Sequence, residues 1–215
     1  QYIENFVSPD TTIISLLNGV NSEEEIKKVY PQAKVLKSFF IGHSAVRINN
    51  SVTQDGIGEI VMEKDSLTTT FFDEIGINYQ TPDNIDYAMW LKFTMNIFSN
   101  QTSAILNLTF GEMKHSKKFI SLAKKIINEV KIIAEKKGVS NLENLEQDAL
   151  SFLARMCDEG KTSMLQDIIA SRKTEVDIFA GEIIKLGKQY GIATPYNQVF
   201  YDLIKVKEDI LENKI

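Results

Sequence analysis

The segment Trp90-Leu-Lys-Phe-Thr-Met-Asn-Ile-Phe-Ser-Asn100 spaces Lys92, Asn96 and Asn100 four residues apart. In an α-helix each such step turns only ~40° beyond a full turn, so the three side chains share one stripe. Their neighbours Trp90, Phe93, Ile97 and Phe98 are large and apolar. An ammonium and two amides in such company are costly unless a ligand or partner satisfies them. The chemistry on offer is therefore the holding of a polar ligand. The competing reading is a solvated helix face. Asparagine is a mediocre helix former, which weighs toward function.

A second polar stretch runs from Thr162-Ser-Met-Leu-Gln-Asp167 to Arg172-Lys-Thr-Glu175. Ser163 with Gln166 reads as a capping box, and Thr174 reads as the cap of a helix that Glu175 opens. Capping does not exclude function, because a helix N-terminus presents free N–H groups and a positive dipole end to a carboxylate. Glu175 in a first helical turn is favoured by the dipole. On position alone it reads as a surface residue.

The elements that must position these groups change character along the chain. The first part alternates strands and short helices, the pattern of an α/β fold. Thr11–Leu17 is a β-branched, apolar run ending at the Asn18-Gly19 turn, as in a buried parallel strand. Ser22 with Glu25 marks a capping box for a helix to Val29, stopped by Pro31. Ala33–Ile41 reads as the next strand. Further strands are expected at Ala45–Ile48 and Gly58–Met62, with Asp55-Gly56 turning between them, then a helix over Thr69–Ile75. From Asn84 the periodicity is helical. Helices are expected over Asn84–Leu106, Ser116–Lys137 (stopped by Gly138), Leu145–Met156 and Ser163–Ala170. Two more cover Glu175–Tyr190, ended by Gly191, and a last one capped by Thr194 with Pro195 in its first turn. The domain boundary falls at the Gln80-Thr-Pro-Asp83 turn, giving domains 1–82 and 83–215.

Composition closes off several classes. The net charge of −5, with scattered Lys and Arg, gives no basic stripe for nucleic acid. A single cysteine, Cys157, excludes an internal disulfide, and no Cys/His cluster has metal-ligand spacing, so no metal is expected. His43 and His115 are too far apart in sequence to suggest a nucleophile pair; His43 reads as a loop residue. No apolar run approaches a membrane span and no signal peptide opens the chain, so the expected location is the cytoplasm. The sequons at Asn49, Asn100 and Asn107 are then chance matches. The Lys-rich run from Lys114 to Lys125 reads as the wet side of an amphipathic helix, and Glu182 as a solvent-facing residue. The start at Gln1 reads as a fragment, a processed product or a partly observed chain.

Taken together, the chain resembles the ketopantoate reductase (2-dehydropantoate 2-reductase) family along essentially its whole length. The resemblance is carried by Leu17-Asn-Gly-Val20, by Trp90-x-Lys92-x-x-x-Asn96-x-x-x-Asn100 with Ser103-Ala104, and by Gly111-Glu112. It continues through Thr162-Ser-Met-Leu-Gln-Asp167, Arg172-x-Thr-Glu175, Gly181-Glu182 and Thr194-Pro-x-Asn197. Each motif alone is weak, whereas their occurrence in this order is specific. The resemblance implies the remainder of a Rossmann-type dinucleotide-binding domain over 1–82. An all-helical, 6-phosphogluconate dehydrogenase C-terminal-like domain over 83–215 would bind substrate. It implies NADPH-dependent reduction of ketopantoate to pantoate, in pantothenate and coenzyme A biosynthesis. By the same resemblance Lys92 protonates the ketone oxygen, Asn96 and Asn100 hold the substrate, and Ser163 contacts it. Glu175 orients the site beside the lysine, and Asn18 lies at the cofactor.

Departures from the family pattern bound the reading. No Gly-x-Gly-x-x-Gly occurs, and in the family that motif lies upstream of the point where this chain begins. The determinant of NADPH over NADH would lie upstream too, and the fragment alone would bind NADPH poorly. Gln101-Thr102-Ser103 stands where the family often has Pro-Leu-Thr, and Phe110 where relatives carry asparagine. Both touch the neighbourhood of the site and leave room for a paralogue acting on another 2-keto acid. A non-catalytic helical dimerisation or ligand-binding remnant is the alternative from another class. The expected partners are a small 2-keto acid and, through the helical half, a second copy in a homodimer.

Overall fold

A computed structural model describes residues 3–42, 44–48 and 50–212, with no side-chain account at 44–48 and 55. His43 and Asn49 lie outside the described residues. The chain divides into two compact units, Gln1–Met89 and Trp90–Ile215.

The first unit is α/β. It runs β1 (Thr12–Ile14), α1 (Ser22–Val29), β2 (Lys34–Leu36), β3 (Ser38–Ile41), β4 (Ser44–Ile48), β5 (Ser51–Asp55), β6 (Glu59–Met62), α2 (Ser66–Ile75) and β7 (Tyr79–Gln80). β1 and β2 pair in parallel, Ile13 opposite Val35. β3 pairs antiparallel with β6, Phe39 opposite Val61, and β6 pairs parallel with β7. β4 and β5 form a separate hairpin. The alternation of a strand puts Ile60 and Met62 with Leu36 and Phe72 on one side of β6. Val61 goes with Phe39 and Met89 on the other, so both faces of β6 are covered.

Several expected elements are altered. The strand expected over Thr11–Leu17 ends at Ile14. There Ser15 turns inward, its Oγ 2.8 Å from that of Ser22, and Leu16 and Leu17 emerge to solvent. That contact also undoes the expected capping box: the Ser22 hydroxyl is engaged with Ser15 and Glu23, and Asn21 stands at the N-cap without a side-chain bond. The expected Ala33–Ile41 strand is two strands, because β2 follows β1 whereas β3 follows β6. At the break Lys37 Nζ reaches both oxygens of Asp86, at 2.6 and 2.7 Å, and the Ser38 hydroxyl donates to Ser15 O at 2.8 Å. α2 begins before Thr69 because Asp65 caps it, accepting from Thr68 N at 3.1 Å and from Thr68 Oγ1 at 2.7 Å. β5 and β7 were not foreseen.

The second unit is helical. α3 (Ile85–Leu106) crosses the division between the units, and Asn84 Oδ1 accepts from Tyr87 N at its start, 3.0 Å away. Then come α4 (Phe110–His115), α5 (Lys117–Lys136), α6 (Leu145–Ala154), α7 (Ser163–Ile169), α8 (Ala180–Tyr190) and α9 (Pro195–Leu211). α5 supplies the centre of the core through Ala123, Ile126, Ile127, Val130, Ile133 and Ala134, the face its periodicity predicts. Its lysines 117, 118, 124 and 125 are exposed as expected. Gly138 and Gly191 stop their helices at φ of 89° and 69°, in the left-handed region that glycine enters without strain. α9 is capped across the fold rather than by Thr194. Buried Glu129 of α5 accepts from Tyr196 N at 2.8 Å, and from Asn197 N and Nδ2 at 3.1 and 2.9 Å.

The helix expected over Glu175–Tyr190 is broken. A 3-10 turn at Val176–Ile178 precedes α8, and Phe179, fully buried with its ring centroid 6.2 Å from that of Phe93, sits at the joint. Glu182 is buried and accepts from Lys185 Nζ at 3.2 Å, so it does not face solvent. Among the described residues no helix is long and apolar enough to cross a membrane.

Candidate functional site

α3 carries two kinds of polar residue. Thr94, Ser99, Gln101 and Thr102 are buried, and each donates to a carbonyl one turn back, of Trp90, Met95, Ile97 and Phe98. The Ser103 hydroxyl donates to Leu108 O at 2.6 Å. Back-bonding of this kind ties a donor hydrogen of a buried polar group inside its own helix, while Gln101 Oε1 stays buried without a hydrogen-bond partner. Of the departures from the family pattern, Thr102 is thus tied within α3, Gln101 is tied there through its amide N–H alone, and Ser103 is tied to the turn that follows the helix. Phe110 is buried too, against Gly160, where an added Cβ would stand 2.9 Å from its ring. Lys92, Asn96 and Asn100 make up the other kind.

Lys92 and Asn96 are half-buried on α3, one turn apart, and Asn100 is buried a turn further on. Burial draws the Lys92 ammonium down from 10.5 to about 8, and the negative charge of Glu175 opposes part of that fall. Glu175 stands just before the 3-10 turn, with φ −90° and ψ 21°, outside any α-helix. Its expected position in a helical first turn is therefore corrected.

At the other end of the stripe, Asn100 Nδ2 points at Ser163 Oγ from 3.5 Å, the outer limit of a hydrogen bond. Ser163 is not the cap that its spacing to Gln166 suggested. Thr162 caps α7, its Oγ1 accepting from Leu165 N at 3.2 Å. The Ser163 hydroxyl is thereby left exposed in the first turn.

Five of the six sequence-predicted residues therefore fall in the second unit, linked as Lys92 with Glu175 and Asn100 with Ser163 along one helix stripe. Asn18 belongs to the first unit, half-buried in the loop after β1. Sequence reasoning missed Glu208, a buried carboxylate of α9 that accepts from Thr174 N at 2.8 Å and Thr174 Oγ1 at 2.7 Å. Its spacing from Lys205 reads as an ordinary surface pair, so the sequence carried no signal for it.

The sequence pattern of the ketopantoate reductase PanE/ApbA C-terminal region matches residues 84–208. This chain belongs to the ketopantoate reductase family. The pattern of that family's N-terminal region matches residues 1–66. A 2-dehydropantoate 2-reductase of Streptococcus pyogenes serotype M3 is 26% identical over 221 aligned residues, covering 98% of this chain and 72% of the relative. Among solved structures, a ternary structure of D-mandelate dehydrogenase with NADH and anilino(oxo)acetate is 26% identical. It superposes with a TM-score of 0.86, over 98% of this chain and 72% of that one. A dimeric ketopantoate reductase from Staphylococcus aureus shares the fold at 22% identity, with a TM-score of 0.82 over 95% and 71% of the two chains. The architecture is that of the family: a Rossmann-type N-terminal domain, of which this chain carries a part, followed by a helical domain.

Proposed function

We propose that the chain reduces a 2-keto acid, 2-dehydropantoate, to its 2-hydroxy acid (pantoate) with NADPH, in the supply of pantothenate and coenzyme A. The observation that carries this reading is Lys92. It is half-buried at one end of a stripe of amides, with its ammonium lowered by burial to about 8 and the negative charge of Glu175 acting against that fall. A donor whose pKa lies near the working pH is the effective general acid.

In this reading the ketone oxygen of the substrate lies at Lys92 Nζ. Asn96 and Asn100 hold the substrate through their amides, and Ser163 takes its carboxylate. Glu175 keeps the lysine charged until the proton leaves, against the pull of burial. NADPH supplies the two electrons and one hydrogen that reduce the carbonyl carbon. Lys92 gives its proton to the oxygen where negative charge develops, so the ketone becomes an alcohol.

The donor set on the loop after β1 suits the nicotinamide end of such a cofactor. Asn18 offers an amide beside exposed Leu17, at the carboxyl end of a strand paired in parallel. Asn18 would hold the cofactor there.

The test is consumption of NADPH by the purified protein with 2-dehydropantoate, beside Lys92→Ala. Turnover should fall on the order of 10²–10⁴-fold in the variant, and a variant with normal turnover refutes the role of Lys92. The likeness to D-mandelate dehydrogenase favours one second reading, an aromatic or other branched 2-keto acid as substrate. A panel of 2-keto acids with NADPH and NADH separates the two. No turnover with any pair would leave a ligand-binding remnant.

We infer also that the protein pairs with a second copy of itself through the outer face of α9. Val199, Leu203, Val206 and Ile210 are large, apolar and exposed there, in the four-three-four spacing of a coiled-coil seam.

A further inference from the structure

The segment that presents Glu175 has no helix of its own to hold it. Glu175 occupies the sparsely populated bridge region of backbone conformation, and the 3-10 turn after it is only three residues long. Nevertheless its carboxylate must stay near Lys92 if the lysine is to remain charged inside the fold. Something outside the segment has to fix it.

Glu208 makes that connection from α9. It is 4% exposed, and its Oε1 accepts two hydrogen bonds from Thr174: from the backbone N at 2.8 Å and from Oγ1 at 2.7 Å. The same Oγ1 accepts from Val176 N at 3.3 Å. Both peptide N–H groups that flank Glu175 are therefore tied, directly or through one hydroxyl, to a single carboxylate. Lys205 Nζ holds the second oxygen at 2.6 Å, and this with the Thr174 bonds keeps Glu208 below its ordinary range despite burial. A second tie runs from Tyr201 of α9, whose hydroxyl donates to Asp177 at 2.9 Å. The ionisable groups around Glu208 are thus Lys205 and Tyr201 on its own helix and Asp177 in the turn.

We propose that Glu208 is a positioning residue for the reaction: through Thr174 it sets where the Glu175 carboxylate stands, and Glu175 in turn sets the charge on Lys92. The inference rests on the reading of Lys92 as proton donor. It adds that the fidelity of the donor is controlled from α9, by a residue that touches neither substrate nor cofactor.

Glu208→Ala, Glu175→Gln and the double variant test it, read by two measurements. In the first, the Lys92 titration midpoint is followed by NMR of 13Cε-labelled lysine in the protein without substrate. Glu208→Ala should lower that midpoint in the direction Glu175→Gln does, and the double variant should add little beyond either. In the second, kcat with the 2-keto acid should fall on the order of tenfold to a hundredfold in Glu208→Ala. The basic limb of its pH profile should move to lower pH, with Glu175→Gln non-additive in the same cycle. A folded Glu208→Ala with the wild-type midpoint overturns the proposal, as do effects that add fully to those of Glu175→Gln. Should Glu208→Ala not fold, Thr174→Val removes the hydroxyl relay alone and must shift the midpoint the same way, or the proposal fails. If the wild type turns over no 2-keto acid yet Glu208→Ala shifts Lys92, the positioning stands and only the assigned reaction fails.

Discussion

Burial and a neighbouring carboxylate act on the Lys92 ammonium in opposite senses, and burial is the larger. Two predictions follow from the sign. As a general acid Lys92 must be protonated, so the reduction should slow as pH rises through about 8. Oxidation of the 2-hydroxy acid needs the neutral amine and should speed up across the same window. Steady-state rates in both directions check this; a reduction rate flat through that window would remove Lys92 from the step. Stability moves the other way from activity. Below pH 8 the lysine is charged both folded and unfolded, and the fold bears the whole desolvation cost. Between about 8 and 10.5 the unfolded chain binds the extra proton, so stability from this group rises with pH. Lys92→Met should therefore stabilise the protein by roughly 1–3 kcal/mol near pH 7. The gain should fade toward pH 10.5, as read by denaturant midpoints at the two pH values. A Lys92→Met protein less stable than wild type at pH 7 would mean that the Glu175 attraction outweighs burial.

At the N-terminus of α7 two adjacent hydroxyls divide the work. Thr162 is buried and caps the helix, whereas Ser163 is exposed and faces Asn100. Thr162→Ala should cost about 1 kcal/mol of stability. Ser163→Ala should stay within about 0.5 kcal/mol of wild type while raising KM for the 2-keto acid. Urea melts beside KM values decide it, and equal stability losses would erase the distinction. The same pair shows what spacing reveals and what it leaves out. A polar residue three before a Glu or Gln marks a helix start, but it selects Ser163, three before Gln166, where Thr162 is the cap, and it fits Asn21 and Ser22 equally. Tertiary contacts make the choice, as when Ser15 takes the Ser22 hydroxyl. The stripe of Lys92, Asn96 and Asn100 was legible because it repeats with the helix. Glu129 and Glu208 were not, because their partners lie 67 and 34 residues away. The break at Lys37 was hidden for a related reason. Val35 and Phe39 are equally strand-like, and only their partners in different sheets tell them apart.

For the molecule as a whole, α9 has two apolar faces with different fates. Phe200, Ile204 and Glu208 are buried in the helical unit. Val199, Leu203, Val206 and Ile210 line the opposite side, each about half exposed. Helices present such a second stripe when another helix covers it. Charge selects how two copies would meet. Asp202 and Lys207 flank the seam five residues apart, the separation that joins unlike charges across a parallel pair of helices. An antiparallel pair would set Asp202 against its own copy, and Lys207 likewise, and is disfavoured. The wild type should sediment as a dimer, and Leu203→Asp with Val206→Asp as a folded monomer. Asp202→Lys alone should weaken the pair at low salt, and adding Lys207→Asp should restore it by reversing both charges together. A wild type that sediments as a monomer at high protein concentration would refute the pairing. Restoration failing while the dimer persists would mean that the helices meet in the other direction.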